Sequence, residues 1–372
     1  MIYLAVLGRQ PEISIAELNA LLPDATVTSF FMNKNPLAKI DLESILPYSV
    51  TRLGGTIKLA EKIDEKPLDY LKKLPDGKLT IGISDYSENA SKKTAVLEAL
   101  KLKKILVRHN RSVRIVENKD AILSTASSLH NGLNGKNERK IELIKLNSEW
   151  YKVIGIQDID SYTKRDQARP ARDAKVGMLP PKLAQILINL CGPLKSGSRI
   201  LDPFCGTGVV LQEALLMGYT AYGTDLSDKM IDYSERNLNW LLESSNSHFE
   251  LSTGDATSFK WTEPIAAVAC ESYLGRPMST PPVDIKLKDE KQTCSSIILG
   301  FLKNLAIQIK PNTPVVIAIP AWLRPNGSYS RLDILDEIEK LGYNVSNQTR
   351  EGLLYHREGQ IVARDIIILR KN

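Results

Sequence analysis

Short continuous apolar runs, each bounded by glycine, proline or a charged residue, alternate along this chain with stretches whose apolar positions recur every three or four residues. The first pattern is that of strands buried on both faces and the second that of amphipathic helices, so their alternation predicts an α/β architecture. Ile2–Leu7 reads as a first strand. A helix is expected over residues 12–22 with Ser14 as its cap, then short strands around 25–31. After a turn-rich link through Pro67 and Pro75-Asp76-Gly77, a strand over 79–84 and a helix over 92–102 lead into residues 112–116. There strict alternation turns Arg114 to water and Val113 and Ile115 to a core. Residues 121–129 predict a helix, and 140–147 with 150–156 a two-stranded ribbon.

Residues 158–175 are polar, basic and poor in apolar periodicity, and read as a linker. Pro180-Pro181 then opens an apolar helix over 182–190, where a missing amide donor costs nothing. Beyond the next strand, helices are expected over 229–243, 292–310 and 330–341. Strands are expected over 249–251, 265–270 and 314–319, with 343–349 and 362–369 as an antiparallel edge pair. The divisions follow: an N-terminal α+β unit of ferredoxin-like type over 1–66, a second unit over 67–157, a linker over 158–177 and an α/β domain over 178–372.

The stretch that organises the second half runs Asp202-Pro203-Phe204-Cys205-Gly206-Thr207-Gly208. It follows the short apolar strand Ile200-Leu201, opens an apolar helix at Val209, and is followed by a second strand ending on Asp225. Strand, glycine-rich turn, helix, and strand carrying an acid make the first half of a nucleotide-type crevice. The third glycine of a dinucleotide fingerprint is absent, as is the Gly-Lys-Ser/Thr of a P-loop. Asp202 is a poor neighbour for a pyrophosphate and a good one for an ammonium group, while Asp225 is placed to accept from ribose hydroxyls. An adenosine with a cationic amino-acid end and no phosphate fits both, which points to S-adenosylmethionine. Asp255, in the turn Gly254-Asp255-Ala256, could accept from an adenine amine.

Composition adds the partner. With 43% hydrophobic and 25% charged residues the 372-residue chain is an ordinary globular protein of two or three domains. The start Met1-Ile2-Tyr3 has no basic leader, and no run approaches the roughly 18 apolar residues of a membrane span. Four scattered cysteines with no nearby histidine pair argue against a metal site and for a reducing cytoplasm. Residues 1–177 hold 29 Lys and Arg against 22 acids, a balance of +7, and the remainder 20 against 21. The excess belongs to the N-terminal half, as in a nucleic-acid-binding module joined to a neutral catalytic domain. Its densest part is Lys101, Lys103, Lys104, Arg108, Arg111 and Arg114, six bases without an intervening acid, the footprint of a phosphate-tracking patch.

These residues carry a resemblance. The 202–208 turn is similar to the first motif of class I methyltransferases that modify exocyclic amines of nucleic-acid bases, and the N-terminal half is similar to an RNA-binding THUMP domain with its small companion domain. Arg169-Pro170-Ala171-Arg172-Asp173 with Gly177-Met178-Leu179-Pro180-Pro181 resembles the linker and cofactor-covering segment of tRNA guanine-N2 methyltransferases acting at position ten. The resemblance implies a Rossmann-like domain with a seven-stranded mixed sheet behind α+β and THUMP domains. It implies S-adenosylmethionine held by Met178, Pro180, Asp202, Phe204, Gly206, Gly208, Asp225, Leu226, Asp255 and Ala256, and tRNA as partner, with no membrane and no metal. A small helper subunit stays open.

In that family an Asp/Asn-Pro-Pro-Tyr/Phe motif after the fourth strand holds the flipped base and accepts hydrogen bonds from its amine as charge develops. This chain reads Cys270-Glu271-Ser272-Tyr273, which leaves Glu271 as the acceptor and Tyr273 as the stacking ring. Two alternatives stand beside the RNA enzyme: a DNA amino-methyltransferase using the same crevice, and a cofactor- and RNA-binding protein without catalysis. Glu271 could also be a plain strand-end acid paired with Arg276.

Overall fold

The computed structural model describes residues 1–173, 178–242, 248–262 and 264–372, which divide into two compact units, Met1–Ser161 and Tyr162–Asn372. Among the described residues no helix is long and apolar enough to cross a membrane.

The first unit contains β1 (Ile2–Leu7), α1 (Pro11–Leu21), β2 (Thr26–Met32), β3 (Asn35–Asp41), β4 (Thr56–Ile63), α2 (Pro67–Lys72), β5 (Leu79–Asp85), α3 (Lys92–Arg108), β6 (Val113–Ile115), α4 (Thr125–His130), β7 (Lys140–Leu146) and β8 (Glu149–Ile156). Its eight strands form one sheet in the order β2-β3-β1-β4-β8-β7-β5-β6. The apolar run of β1 is explained by burial on both faces: Tyr3, Ala5 and Leu7 enter one core, Leu4 and Val6 another. The boundary drawn near residue 66 falls inside this sheet, because β4 pairs with β8 from Lys58↔Ile156 to Ile63↔Trp150. Ser14 is not a cap. It lies inside α1 with its hydroxyl donating to Gln10 O and Gly55 O, and Gln10 precedes the helix with Pro11 at its first turn.

A buried polar cluster stitches this sheet to the segment around α4. The Lys58 ammonium donates to Leu123 O at 2.8 Å, Ser128 Oγ at 3.3 Å and Glu142 Oε1 at 2.5 Å. Ser84 and Ser128 donate to the two oxygens of Glu142 at 2.5 and 2.6 Å. Both charges are almost fully buried and both are satisfied, as buried ions must be.

The second unit contains α6 (Pro181–Leu190), β9 (Arg199–Asp202), α7 (Val209–Leu216), β10 (Thr220–Asp225), α8 (Asp228–Leu241), β11 (Phe249–Thr253), β12 (Ala267–Glu271), α9 (Asp284–Ala306), β13 (Pro314–Leu323), β14 (Tyr329–Ser330), α10 (Leu335–Lys340), β15 (Tyr343–Val345), α11 (Asn347–Glu351), β16 (Leu354–Tyr355) and β17 (Val362–Lys371). The main sheet runs β11-β10-β9-β12-β13-β17-β15, the expected seven strands, with β14 and β16 added on β13 and β17. β9 to β13 are parallel, and β17 is antiparallel to both β13 and β15. So β17 lies between two strands instead of forming an edge with β15.

Residues 158–173 are not the irregular linker that their polarity suggests. Ile159–Gln167 forms α5, and Tyr162 is the residue it buries. Arg165 stacks over Tyr162 at 4.4 Å and bonds Glu213 of α7 at 2.6 Å. The part of the expected linker at 174–177, with Lys175 and Gly177, lies outside the described residues, as does the end of the helix expected to reach 243. The chain order of strands changes direction between β9 and β12, and a crevice opens beyond the carboxyl ends of these strands in such sheets.

Candidate active site

Three carboxylates converge at that place because three neighbouring strands end on acids: Asp202 on β9, Asp225 on β10 and Glu271 on β12. Asp202 is 2% exposed, with Oδ1 accepting from Phe204 N at 3.1 Å. Burial holds its pKa well above the ordinary carboxylate range, and the charges of Asp225 and Glu271 push it further. Asp225 Oδ2 accepts from Gly206 N at 2.9 Å and Oδ1 from Ser227 N at 3.0 Å. Burial raises its pKa too, against the pull of those two amides. Acids set this close together resist ionising side by side, and a cationic ligand would favour their charged forms.

The turn itself is fixed by glycine geometry. Gly206 and Gly208 sit at φ of +52° and +80°, and a Cβ on Gly208 would lie 3.0 Å from Ser234 Oγ. Ser234 Oγ donates to Gly206 O at 2.8 Å, and Asn237 Nδ2 donates to Thr207 O at 2.9 Å. The close helix–strand packing that a third turn glycine would provide comes from β10 instead. A Cβ on Gly223 would lie 2.4 Å from Leu211 Cδ1 of α7.

The other expected cofactor residues are distributed around this turn. Phe204 packs edge-on to Phe301 at 5.2 Å, and Leu226, beside Asp225, exposes 74% of its surface. Asp255 is exposed, and its Oδ1 accepts from Thr257 N at 2.9 Å and Thr257 Oγ1 at 2.7 Å, which lowers its pKa. Ala256 is buried, its carbonyl tied to Asn304 Nδ2 at 2.9 Å. Pro180 precedes α6 as its cap residue, and Met178 Sδ lies 3.6 Å from Arg169 Nη2.

Glu271 is paired, though not with Arg276. Arg364, on β17 and 4% exposed, donates Nε to Glu271 Oε1 at 2.5 Å. Arg276 instead donates Nε to Glu290 Oε1 at 2.7 Å. Burial raises the Glu271 pKa and Arg364 opposes it. Tyr273, two residues further on, is 38% exposed.

Of the six bases in the first unit, five keep a place at the surface. Residues 103–108 continue α3 instead of leaving it at 102; Lys101, Lys104 and Arg108 are exposed, Lys103 half-buried. Lys101 lies 3.5 Å from Glu98, and exposed Arg114 bonds Asn131 Oδ1 at 2.8 Å. Arg111 holds the carbonyls of Leu74 and Pro75, so its guanidinium secures a turn.

Sequence patterning gives no role to Arg364, Arg169, Ser234 or Asn237, because their partners are far away in the chain. Arg169 alone carries a signal, as part of the segment that resembles a family linker.

Residues 169–290 match the UPF0020 family model, described as an RMKL-like methyltransferase domain. The chain is 31% identical over 160 residues to the tRNA (guanine(10)-N2)-dimethyltransferase of Methanothermobacter thermautotrophicus, covering 42% of this chain and 44% of that protein. It is 30% identical over 171 residues to the protein of the same name from Pyrococcus abyssi, covering 45% and 44%. The chain thus spans less than half the length of these curated relatives. A probable tRNA (guanine(10)-N2)-dimethyltransferase of Methanothermococcus thermolithotrophicus is 47% identical over 57 residues, 15% of this chain and 35% of that one. The stretch of the second unit over residues 169–290 is thus similar to a methyltransferase domain, and the unit that holds it is α/β with a mixed sheet.

Proposed function

We propose that this protein transfers a methyl group from S-adenosylmethionine to the exocyclic N2 of a guanine in tRNA. The observation that carries the reading is the convergence of Asp202, Asp225 and Glu271 at the ends of adjacent strands, next to a turn held open by left-handed glycines. The names of the relatives supply the acceptor.

The donor set suits the cofactor. Asp202 would face its ammonium group, Asp225 its ribose hydroxyls, Leu226 and Ala256 its adenine, with Phe204, Met178 and Pro180 closing the methionine end. Bound there, S-adenosylmethionine supplies an electrophilic methyl. Guanine N2 is a weak nucleophile because its lone pair is delocalised into the ring, so this chain must orient the base and accept the protons of its amine. Tyr273 stacks on the flipped base, and Glu271 accepts from the amine through the oxygen that Arg364 Nε does not hold.

The first unit, which resembles a THUMP domain, grips tRNA by phosphate and shape contacts. Lys104→Ala with Arg108→Ala should reduce the slope of log affinity against log salt by roughly 2, about one for each phosphate left without its cation. An unaltered slope in a filter-binding titration would put the RNA elsewhere. Buried thiols of Cys191, Cys205, Cys270 and Cys294 suit a reducing cytoplasm.

The cofactor reading has a pH signature. Asp202 is biased toward its protonated form in the free crevice, and a cationic ligand prefers the ionised form. Affinity should therefore rise with pH through the raised pKa of Asp202, and binding should expel a proton. Calorimetry in two buffers of different ionisation enthalpy reads this directly; a buffer-independent enthalpy would remove Asp202 from the cation site. The acceptor is tested by offering labelled cofactor with tRNA and with duplex DNA side by side. Label in tRNA alone supports the RNA enzyme, and label in DNA alone overturns it.

A further inference from the structure

Beside the glycine turn lies a buried cation that no carboxylate of the described residues pairs. Arg169 is 3% exposed, yet among the described residues its guanidinium makes two weak contacts: Nη1 to Thr207 Oγ1 at 3.3 Å and Nη2 to Met178 Sδ at 3.6 Å. Its Nε is buried with no hydrogen-bond partner. Asp166 and Glu213 act on it only through space, and Glu213 already takes Arg165 at 2.6 and 3.3 Å. Burial accordingly depresses the Arg169 pKa. A buried guanidinium with five donors and no carboxylate is costly, and such a group is retained where a ligand completes it.

Its position is fixed in advance. Asn237 Oδ1 accepts from Ala171 N at 2.9 Å, while Asn237 Nδ2 donates to both Ala171 O and Thr207 O at 2.9 Å. One buried side chain thus clamps the segment after Arg169 to the glycine turn. Arg364, the other buried cation of this crevice, is neutralised by Glu271.

We infer that Arg169 receives the α-carboxylate of the cofactor's amino-acid end, with Thr207 beside it. This rests on the S-adenosylmethionine reading above. The amino-acid end is a zwitterion: the converging acids match its ammonium and the sulfonium, but they repel its carboxylate. Arg169 is the buried positive group in contact with the turn, and a planar fork of donors suits a carboxylate better than any point charge.

The test is calorimetric and needs no turnover. Wild-type protein is titrated with S-adenosylmethionine and with its decarboxylated analogue, which keeps adenosine, sulfonium and ammonium. The expected result is a roughly 10- to 100-fold weaker affinity for the analogue, the worth of a charge-assisted hydrogen-bonded pair. Arg169→Met should bind the two ligands about equally, and Arg169→Lys should recover part of the preference. Equal affinities in the wild type overturn the assignment without reliance on any variant, as does undiminished discrimination in Arg169→Met. If the wild type binds neither compound, the cofactor reading itself fails and the carboxylate site falls with it.

Discussion

Glu271→Gln is expected to slow methyl transfer to tRNA roughly 100- to 1,000-fold, far more than it changes cofactor affinity, the scale of removing one preorganised group that stabilises developing charge. The substitution is close to isosteric. The amide carbonyl can still accept from Arg364 Nε, so the buried guanidinium keeps a partner and the strand end keeps its shape. What disappears is the negative charge facing an amine that becomes positive as the methyl transfers. The pH profile separates this from a structural effect. Burial raises the Glu271 pKa, against Arg364, so the acceptor is lost as pH falls through a value above the usual range for glutamate. The wild type should therefore show an acidic limb that is absent in the variant. Single-turnover rates measured across the acidic and neutral range check both points; an undiminished rate in Glu271→Gln would remove its role.

The largest stability effect belongs to the first unit. Glu142→Leu should destabilise it by about 3–5 kcal/mol, because it strands the Lys58 ammonium, 2% exposed, with only Leu123 O and Ser128 Oγ as acceptors. Ser84 would be left without its acceptor as well. Pairing it with Lys58→Met should recover much of the stability, since replacing both ions with apolar groups of similar volume is close to neutral. Urea unfolding of the two variants measures this, and a single-variant cost below about 1 kcal/mol would mean that the network contributes little.

The crevice is largely legible in the sequence because its logic is local. Asp202, Gly206, Gly208 and Asp225 lie within one strand–turn–helix–strand unit, where spacing alone fixes which groups meet. The interactions that complete it are not local. Glu271 meets Arg364 across 93 residues because β17 inserts antiparallel to β13, with Arg364 opposite Pro320. The closest charged candidate in sequence, Arg276, goes to Glu290.

Residues 159–167 resemble a linker because they bury only Tyr162. Their helix is held by Arg165 and its partner on α7, which apolar periodicity does not register. α9 starts earlier than periodicity predicts for a related reason: its first turns, from Asp284, are mostly exposed and polar, and steady burial starts near Cys294. The division at residue 66 follows a proline and a turn, which mark a chain reversal; they carry no information on whether β4 finds a partner on the far side, as it does in β8. The turn lacks the third glycine of a dinucleotide fingerprint, and the close packing it would have given is supplied by Gly223, on a different element.

Methyl transfer from S-adenosylmethionine to guanine N2 in tRNA is tested most directly by nucleoside mass spectrometry of unmodified tRNA incubated with the protein and methyl-labelled cofactor. The expected result is label in N2-methylated guanosine, as one or two methyl groups; label on another nucleoside, or none on any tRNA from protein that binds the cofactor, would contradict it.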